Sequence, residues 1–228
     1  MKSLDRKLLR DLTAMRGQAL AIAAVIACGI AAYVMALTTL ASLKETRAGY
    51  YERQQFGRVF AQLKRAPDTL AARMAEIPGV ARVQTRVSME VTLDIPYLSE
   101  PASGRLLSVP DQPGTGLNQL YLRRGRWLDP EREAEVLVSE SFADAHELKP
   151  GDVLHAVING RRRALRIAGT ALSPEYIFEI RPGQLLPDPK RFGILWMRHR
   201  ELAQISGMDG AFNDASLTLM RGASEPQV

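Results

Sequence analysis

The sequence predicts an α+β protein: an N-terminal amphipathic helix, one transmembrane helix, a helical stalk, and a mixed α/β extracytoplasmic domain with a small β-rich subdomain. Three observations predict it. Ala19 to Ala41 is apolar and uncharged, the region beyond Pro67 switches to a period of two between turn residues, and Asn159-Gly160 separates two such stretches.

The apolar run has Tyr33, Thr38, Thr39 and Cys28 as its only polar side chains. At about 1.5 Å per helical residue it covers roughly 30 Å, the thickness of a bilayer's hydrocarbon core. Residues 18–42 are therefore read as a transmembrane helix. Val25-Ile26-Ala27-Cys28 has the small-residue-then-cysteine form of a lipoprotein cleavage site, but Gly29 to Leu37 continues apolar where a lipidated terminus leads into a polar tether. A cleaved secretory signal has an apolar core of about 7–15 residues, and this run has 23. Retention as an anchor is the expectation.

The formal charge of +5 is concentrated around this run. Residues 1–18 and 42–66 carry net charges of +3 and +4, leaving −2 beyond Pro67, a poor footprint for nucleic acid. The basic flanks either attract anionic lipid headgroups or simply snorkel at the helix ends. Both flanks being basic, local charge does not set the orientation. A short N-terminus inside and a long domain outside is favoured, because long domains translocate largely regardless of charge. The single cysteine, Cys28, has no intrachain partner and does not report the redox compartment.

Before the span, Leu4, Leu8, Leu12 and Met15 share one helical face, which predicts a cytoplasmic amphipathic helix over residues 1–17 on the membrane surface or against a cytoplasmic partner. After it, Ser42 to Arg65 lacks proline and places Phe56, Val59, Phe60 and Leu63 at helical spacing, so residues 43–66 are expected to be a helical stalk ended by Pro67. The extracytoplasmic core domain then spans residues 67–228. Asp68 is the expected N-cap of a short helix through Ile77, closed by Pro78-Gly79.

From Val80 to Ile95 alternation predicts one strand, or two with an irregularity between. Pro96 to Gly116 reads as a surface connection with a short strand at Arg105 to Val109. Val136 to Val138 reads as a buried strand, Ser141 to Glu147 as a helical turn and Pro150-Gly151-Asp152 as a turn; Val153 to Ile158 and Arg163 to Ala168 flank the Asn159-Gly160 hairpin. A strand at Phe192 to Met197, a helix around Arg200 to Ile205 and a strand at Ala215 to Met220 complete the expectation.

No catalytic, cofactor-binding or metal-binding residue is assigned. No lysine follows a glycine, so the phosphate-cradling Gly-Lys-Ser/Thr loop is missing and any ATP use belongs to a partner. His146-Glu147 opens like a zinc-protease helix, but Pro150 stands where the second histidine is required. His155 and His199 are isolated from one another, and no Gly-x-Ser-x-Gly elbow occurs. Arg161-Arg162-Arg163 is read as a solvated loop rather than a phosphate patch, and Tyr176, Phe178 and Trp196 as core rather than ligand contacts.

The blocks Gly125-Arg126-Trp127, Glu135-Val136-Leu137-Val138-Ser139-Glu140 and Leu148-Lys149-Pro150-Gly151-Asp152-Val153-Leu154, with the strand Leu165 to Gly169, resemble the extracytoplasmic core domain of FtsX-like, MacB-type ABC transporter permeases. Ser173-Pro174-Glu175-Tyr176 and Phe192-Gly193-Ile194-Leu195-Trp196 fit the same resemblance, which covers nearly the whole chain. It implies a non-catalytic permease subunit of the bacterial cytoplasmic membrane, without cofactor, its N-terminus cytoplasmic and its C-terminal domain periplasmic or extracellular. The implied partners are a cytoplasmic ABC ATPase, membrane lipid, and the remaining permease helices or a second permease copy. Members of the family have further spans, so the resemblance implies a truncated or split form, or spans on another chain. The rival expectation is a membrane-anchored adaptor or sensor that binds a partner without transporting; an enzyme with an unrecognised site on the outer domain is a third.

Overall fold

The computed structural model describes residues 7, 10, 15–98 and 100–223. The expected amphipathic helix, with Leu4, Leu8 and Leu12, falls outside them. The chain forms two compact units that divide between Tyr50 and Tyr51.

Helix α1, Arg16–Arg53, makes up most of the described part of the first unit, with its last three residues in the second, and its 38 residues contain no proline. Thr38 Oγ1 folds back on the carbonyls of Val34 and Met35, both at 3.0 Å, which satisfies its hydroxyl inside the helix. Leu20, Val25, Ile30 and Met35 all stay exposed, and the helix buries no residue. Over Ala19 to Ala41 the helix is apolar all round, the composition of a membrane span. Among the described residues it is the one helix long and apolar enough to cross a membrane.

The helix ends at Arg53, and the expected stalk does not continue to Arg65. Val59–Pro67 is instead strand β1, which pairs antiparallel with a strand more than a hundred residues later in the chain. The spacing of Phe56, Val59, Phe60 and Leu63 satisfies a helical period, but tertiary pairing decides the outcome. Helix α2, Leu70–Ala75, follows; its N-cap is Thr69 rather than Asp68, and no side chain caps it. The alternating run then divides into β2, Val80–Arg86, and β3, Ser88–Asp94.

The remaining elements are β4 (Ala102–Val109), β5 (Tyr121–Gly125), β6 (Glu135–Ser139), α3 (Glu140–Ala145), β7 (Val153–Ile158), β8 (Arg161–Leu172), β9 (Phe192–Arg198), α4 (His199–Ser206) and β10 (Ala211–Leu219). Residues 96–116 are not merely a surface connection: β4 within them buries Ala102, Leu106, Leu107 and Val109. Nor is Arg161-Arg162-Arg163 a loop, since all three pair with β7 directly after the two-residue Asn159-Gly160 turn, where both turn residues have positive φ.

Two sheets result. The smaller runs β1-β10-β2, all antiparallel neighbours. The larger has seven strands in the order β5-β8-β6-β9-β4-β3-β7, and β7 also pairs with β8. That last pairing closes six strands into a ring, leaving only β5 appended to it. A closed ring has no free edge to template pairing with another chain. Its interior is filled by Leu93, Leu106, Val136, Val138, Leu154, Ile158, Leu165 and Leu195, with Phe142 of α3 and Leu202 of α4 added. A second core, with Leu107, Leu137, Phe192, Ile194 and Trp196, lies on the opposite face of the same sheet. The β-rich unit expected over Glu135 to Thr170 is thus part of a ring that also recruits β3, β4 and β9. The observed class, an apolar N-terminal helix followed by an α+β body, is the one expected.

The ring is an insertion. It leaves the small sheet after β2 and returns to it before β10, so β1 and β2 stand before it in sequence and β10 after.

Candidate functional site

The motif blocks fold into one architectural cluster. Gly125 has φ of +80°, and a Cβ there would stand 2.3 Å from the Ala168 carbonyl oxygen and 2.9 Å from Pro150 Cγ. Gly169 mirrors it, its Cβ falling 2.5 Å from the Arg124 carbonyl oxygen. Two glycines therefore let β5 and β8 touch backbone to backbone beneath Pro150.

Arg126 grips the buried carboxylate of Glu135, which also accepts the Asp129 N–H at 3.1 Å. Burial opposes ionisation of Glu135, but the Arg126 hydrogen bonds, the Asp129 N–H and the Arg126 and Arg132 charges outweigh it and hold the carboxyl below its ordinary range. In the next block, Asp152 accepts the Lys149 N–H at 2.8 Å, and the Gly151 N–H donates to the Ile167 carbonyl at 2.7 Å. Gly193 leaves room for the Phe142 ring, which a Cβ would meet at 2.5 Å. These residues build the body; they do not form a reactive centre.

The polar chemistry gathers where the ring meets the small sheet. Arg86, the last residue of β2, is buried and donates from Nη1 and Nη2 to Glu175 at 2.6 and 2.7 Å. It also donates from Nε and Nη2 to Asp214 of β10 at 2.8 and 2.6 Å. Glu175 belongs to the segment after β8, so one guanidinium ties the small sheet to the ring. Burial would lower the Arg86 pKa, but the hydrogen bonds and charges of Glu175, with the Asp214 charge, raise it above the ordinary guanidinium value. Burial and the Glu175 charge push Tyr176 up to about 12.

The next two residues are held as well. Val87 donates its N–H to Ser108 Oγ at 2.8 Å and accepts the Ser108 N–H at 2.8 Å, while Ser108 Oγ lies 3.0 Å from His199 Nδ1. Ser88 donates to Asn213 Oδ1 and accepts from Asn213 Nδ2, both at 2.7 Å.

Asn118 is the second fastening. It sits in the connection between β4 and β5, is buried, and has φ of +50°, a conformation that asparagine tolerates better than most residues. Its N–H donates to the Gln55 carbonyl at 3.1 Å, its Oδ1 accepts the Gly57 N–H at 2.8 Å, and its Nδ2 donates to Ser216 Oγ at 3.2 Å. The Gln119 N–H reaches the Gln54 carbonyl at 2.8 Å. The turn that follows α1 is thereby bound to the ring as well as continuing into β1. Beside it, Leu117 donates its N–H to Gln84 Oε1. A cavity of about 20 Å³, lined by Arg86, Glu175, Ser108, Asn118, Trp127 and Trp196, lies within this joint.

The residues weighed from sequence are placed apart. His146 caps the end of α3, its ring 4.6 Å from that of Phe142 and its Nε2 3.0 Å from the Lys190 carbonyl oxygen. His155 lies on β7, and His199 is the first residue of α4. Trp196 is core and Tyr176 packs against that core, but Phe178 is 72% exposed, contrary to expectation. It shares the segment after β8 with the exposed Ile177, Leu185 and Leu186. That segment is fastened a second time by buried Glu179, which accepts from the hydroxyls of Ser139, at 2.7 Å, and Ser141. Among the described residues no cluster of His, Cys, Asp and Glu has metal-ligating geometry. Sequence reasoning did not find Arg86, Asn118 or Asp214, because none lies in a local motif; Glu175 stands in the Ser173 to Tyr176 block, which gave it no role.

No family model matches the chain. Three solved structures similar to it are the following. The extracellular domain of a noncanonic ABC-type transporter, YknZ, from Gram-positive bacteria is similar with a TM-score of 0.46 at 12% identity, over 72% of this chain and 83% of that one. The periplasmic region of MacB from Actinobacillus actinomycetemcomitans gives 0.41 at 13% identity, over 70% and 67%. A permease domain from Porphyromonas gingivalis gives 0.38 at 19%, over 68% of each. Glucose-6-phosphate isomerases of Xanthomonas campestris and Xanthomonas oryzae are 35% identical over 60 residues, 26% of this chain. The chain spans about 12% of the length of these curated relatives, and the local match brings no activity with it.

Proposed function

We propose that the chain is the N-terminal portion of an FtsX/MacB-type ABC transporter permease subunit, coupling a partner ATPase to an extracytoplasmic domain for transport or mechanotransmission. Residues 18–42 cross the bacterial cytoplasmic membrane, with the N-terminus cytoplasmic and the body periplasmic or extracellular. The observation that carries the reading lies within the body: the turn Gln54–Arg58, which follows the apolar helix in the chain, is fastened by Asn118 and Gln119 to the motif-bearing ring. Displacement of the helix end therefore acts on the small sheet through β1 and on the ring through Asn118. The joint contributes rigid polar fastenings rather than a nucleophile or a metal, which suits the transmission of force. ATP hydrolysis belongs to the partner.

Tagged chain, extracted from membranes of its native host, is expected to co-purify with a stoichiometric ABC-type ATPase, or with a longer form carrying the further spans, identified by mass spectrometry. Intact membrane-bound chain recovered with neither would overturn the proposal in favour of an anchored adaptor.

A further inference from the structure

We propose that the ring swings on the small sheet about a hinge of two adjacent chain crossings, with the Arg86–Glu175 ion pair as its latch. This inference rests on the mechanical reading above for its purpose, while its geometry stands apart from it.

Two connections join the ring to the small sheet. The first is the single residue Val87, between β2 and β3; the second is Gly207–Gly210, between α4 and β10. The first runs beside the strand into which the second leads, because Ser88, just after Val87, exchanges hydrogen bonds of 2.7 Å with Asn213 of β10. Gly207 and Gly210 have φ of +71° and +67°, and a Cβ at either would meet nothing within 4 Å, so this crossing is bent at two open points. Hinges are a few loop or element-terminal residues that absorb backbone rotation while the bodies on either side stay rigid.

The bodies are separately packed. The small sheet has its own core of Ala66, Phe212 and Ala215, and no apolar cluster among the described residues contains buried members of both sheets; the Val87 side chain joins the ring's core. Side chain-mediated hydrogen bonds hold the joint instead: Arg86 to Glu175, Asn118 to Gly57 and Ser216, and Leu117 to Gln84. A joint without a shared apolar core opens by breaking hydrogen bonds, these together with the backbone bonds of Asn118 and Gln119 to Gln55 and Gln54, while the Ser88–Asn213 pair stays at the hinge.

Glu175 is the member that releases without damage. Arg86 keeps Asp214, a neighbour within its own small sheet, when Glu175 loses its charge, so no buried guanidinium is stranded. Loss of Arg86 would strand two carboxylates and confuse opening with unfolding.

The test measures spin-label distances by pulsed electron resonance on the full chain in detergent. Cys28→Ser removes the native thiol, and labels are placed at Ala72→Cys on α2 and Arg161→Cys at the β7–β8 turn, both exposed sites. The parent should give one narrow distance distribution. Glu175→Gln should broaden it, and Glu175→Gln with Asn118→Ala should add a second, displaced population. An unchanged distribution in the double variant, with circular dichroism showing it folded, would overturn the hinge; if the double variant does not fold, an unchanged distribution in Glu175→Gln does so. No ATPase enters the measurement, so the hinge can fail while the permease reading stands, and the reverse.

Discussion

Replacing Gly125 by alanine tests whether the motif cluster is architecture. Two costs combine at this site. An L-residue forced to φ of +80° loses roughly 1–2 kcal/mol. The new methyl would also stand 2.3 Å from the Ala168 carbonyl oxygen and 2.7 Å from Gly169 Cα, both backbone atoms, so β5 and β8 must separate. Overpacking of that kind costs about 1–3 kcal/mol, giving about 2–5 kcal/mol in total. For a body of this size each kcal/mol lowers Tm by about 2–4 °C, so a fall of about 4–20 °C is expected. Gly160→Ala is the control: its φ is +73° but a Cβ there meets nothing within 4 Å, and it should lose only the conformational part, roughly 1–2 kcal/mol. Thermal unfolding of the full chain in detergent, followed by near-ultraviolet circular dichroism from Trp127 and Trp196, separates the two. A Gly125→Ala loss no larger than that of Gly160→Ala would refute the claim that β5 and β8 are in backbone contact.

Arg86→Met removes the cation shared by Asp214 and Glu175 and should cost about 3–5 kcal/mol in urea unfolding, because buried Asp214 and half-buried Glu175 lose their counter-ion; an unchanged midpoint would contradict it. Burial raises the Glu179 pKa despite the Ser141 and Ser139 hydrogen bonds, so the folded chain holds an extra proton just above the ordinary carboxylate range. Its contribution to stability is then largest at acid pH and declines as pH rises through that window; Glu179→Gln should flatten this decline in Tm measured against pH, and a parallel curve would count against the assignment. Ile26→Arg places a charge near the middle of the apolar run at a cost of about 2.5–3.5 kcal/mol, and should shift chain from the carbonate-resistant membrane fraction to the soluble one. Equal retention would argue against a span there.

Local patterns in the sequence were legible where the fold is local. The apolar run, the Asn159-Gly160 hairpin, the Glu135–Ser139 strand and the strand over Phe192 to Met197 all follow from period and turn chemistry. What escaped depends on distant partners. Phe56, Val59, Phe60 and Leu63 satisfy a helical spacing, yet β1 forms because β10 supplies its hydrogen bonds. Strand β5 has no apolar alternation, with Arg123 and Arg124 at its centre, and exists because Gly125 and Gly169 admit close pairing with β8. The division at Val87 was visible only as an irregularity in one alternating run; that its halves enter different sheets was not. Arg86 and Gln84 read as the solvent-facing positions of β2, and a second sheet in the place of solvent is what makes them the joint. Asn118 carries its only local signal in the neighbouring glycines Gly114 and Gly116, which mark a turn without indicating what it grips.

The ring's entrance lies within hydrogen-bond reach of β10, the strand to which the chain returns on leaving it, through Ser88 and Asn213. A segment whose two ends meet can be lifted out and its gap closed by a short linker, since insertions are tolerated where the flanking backbone is already adjacent. The three-stranded sheet is therefore a socket and the ring an exchangeable head. Different heads can be carried on the same socket provided that each restores a grip like that of Asn118 and Gln119 on the turn after α1, so this architecture permits the exposed face of the head to diversify while its seat stays fixed.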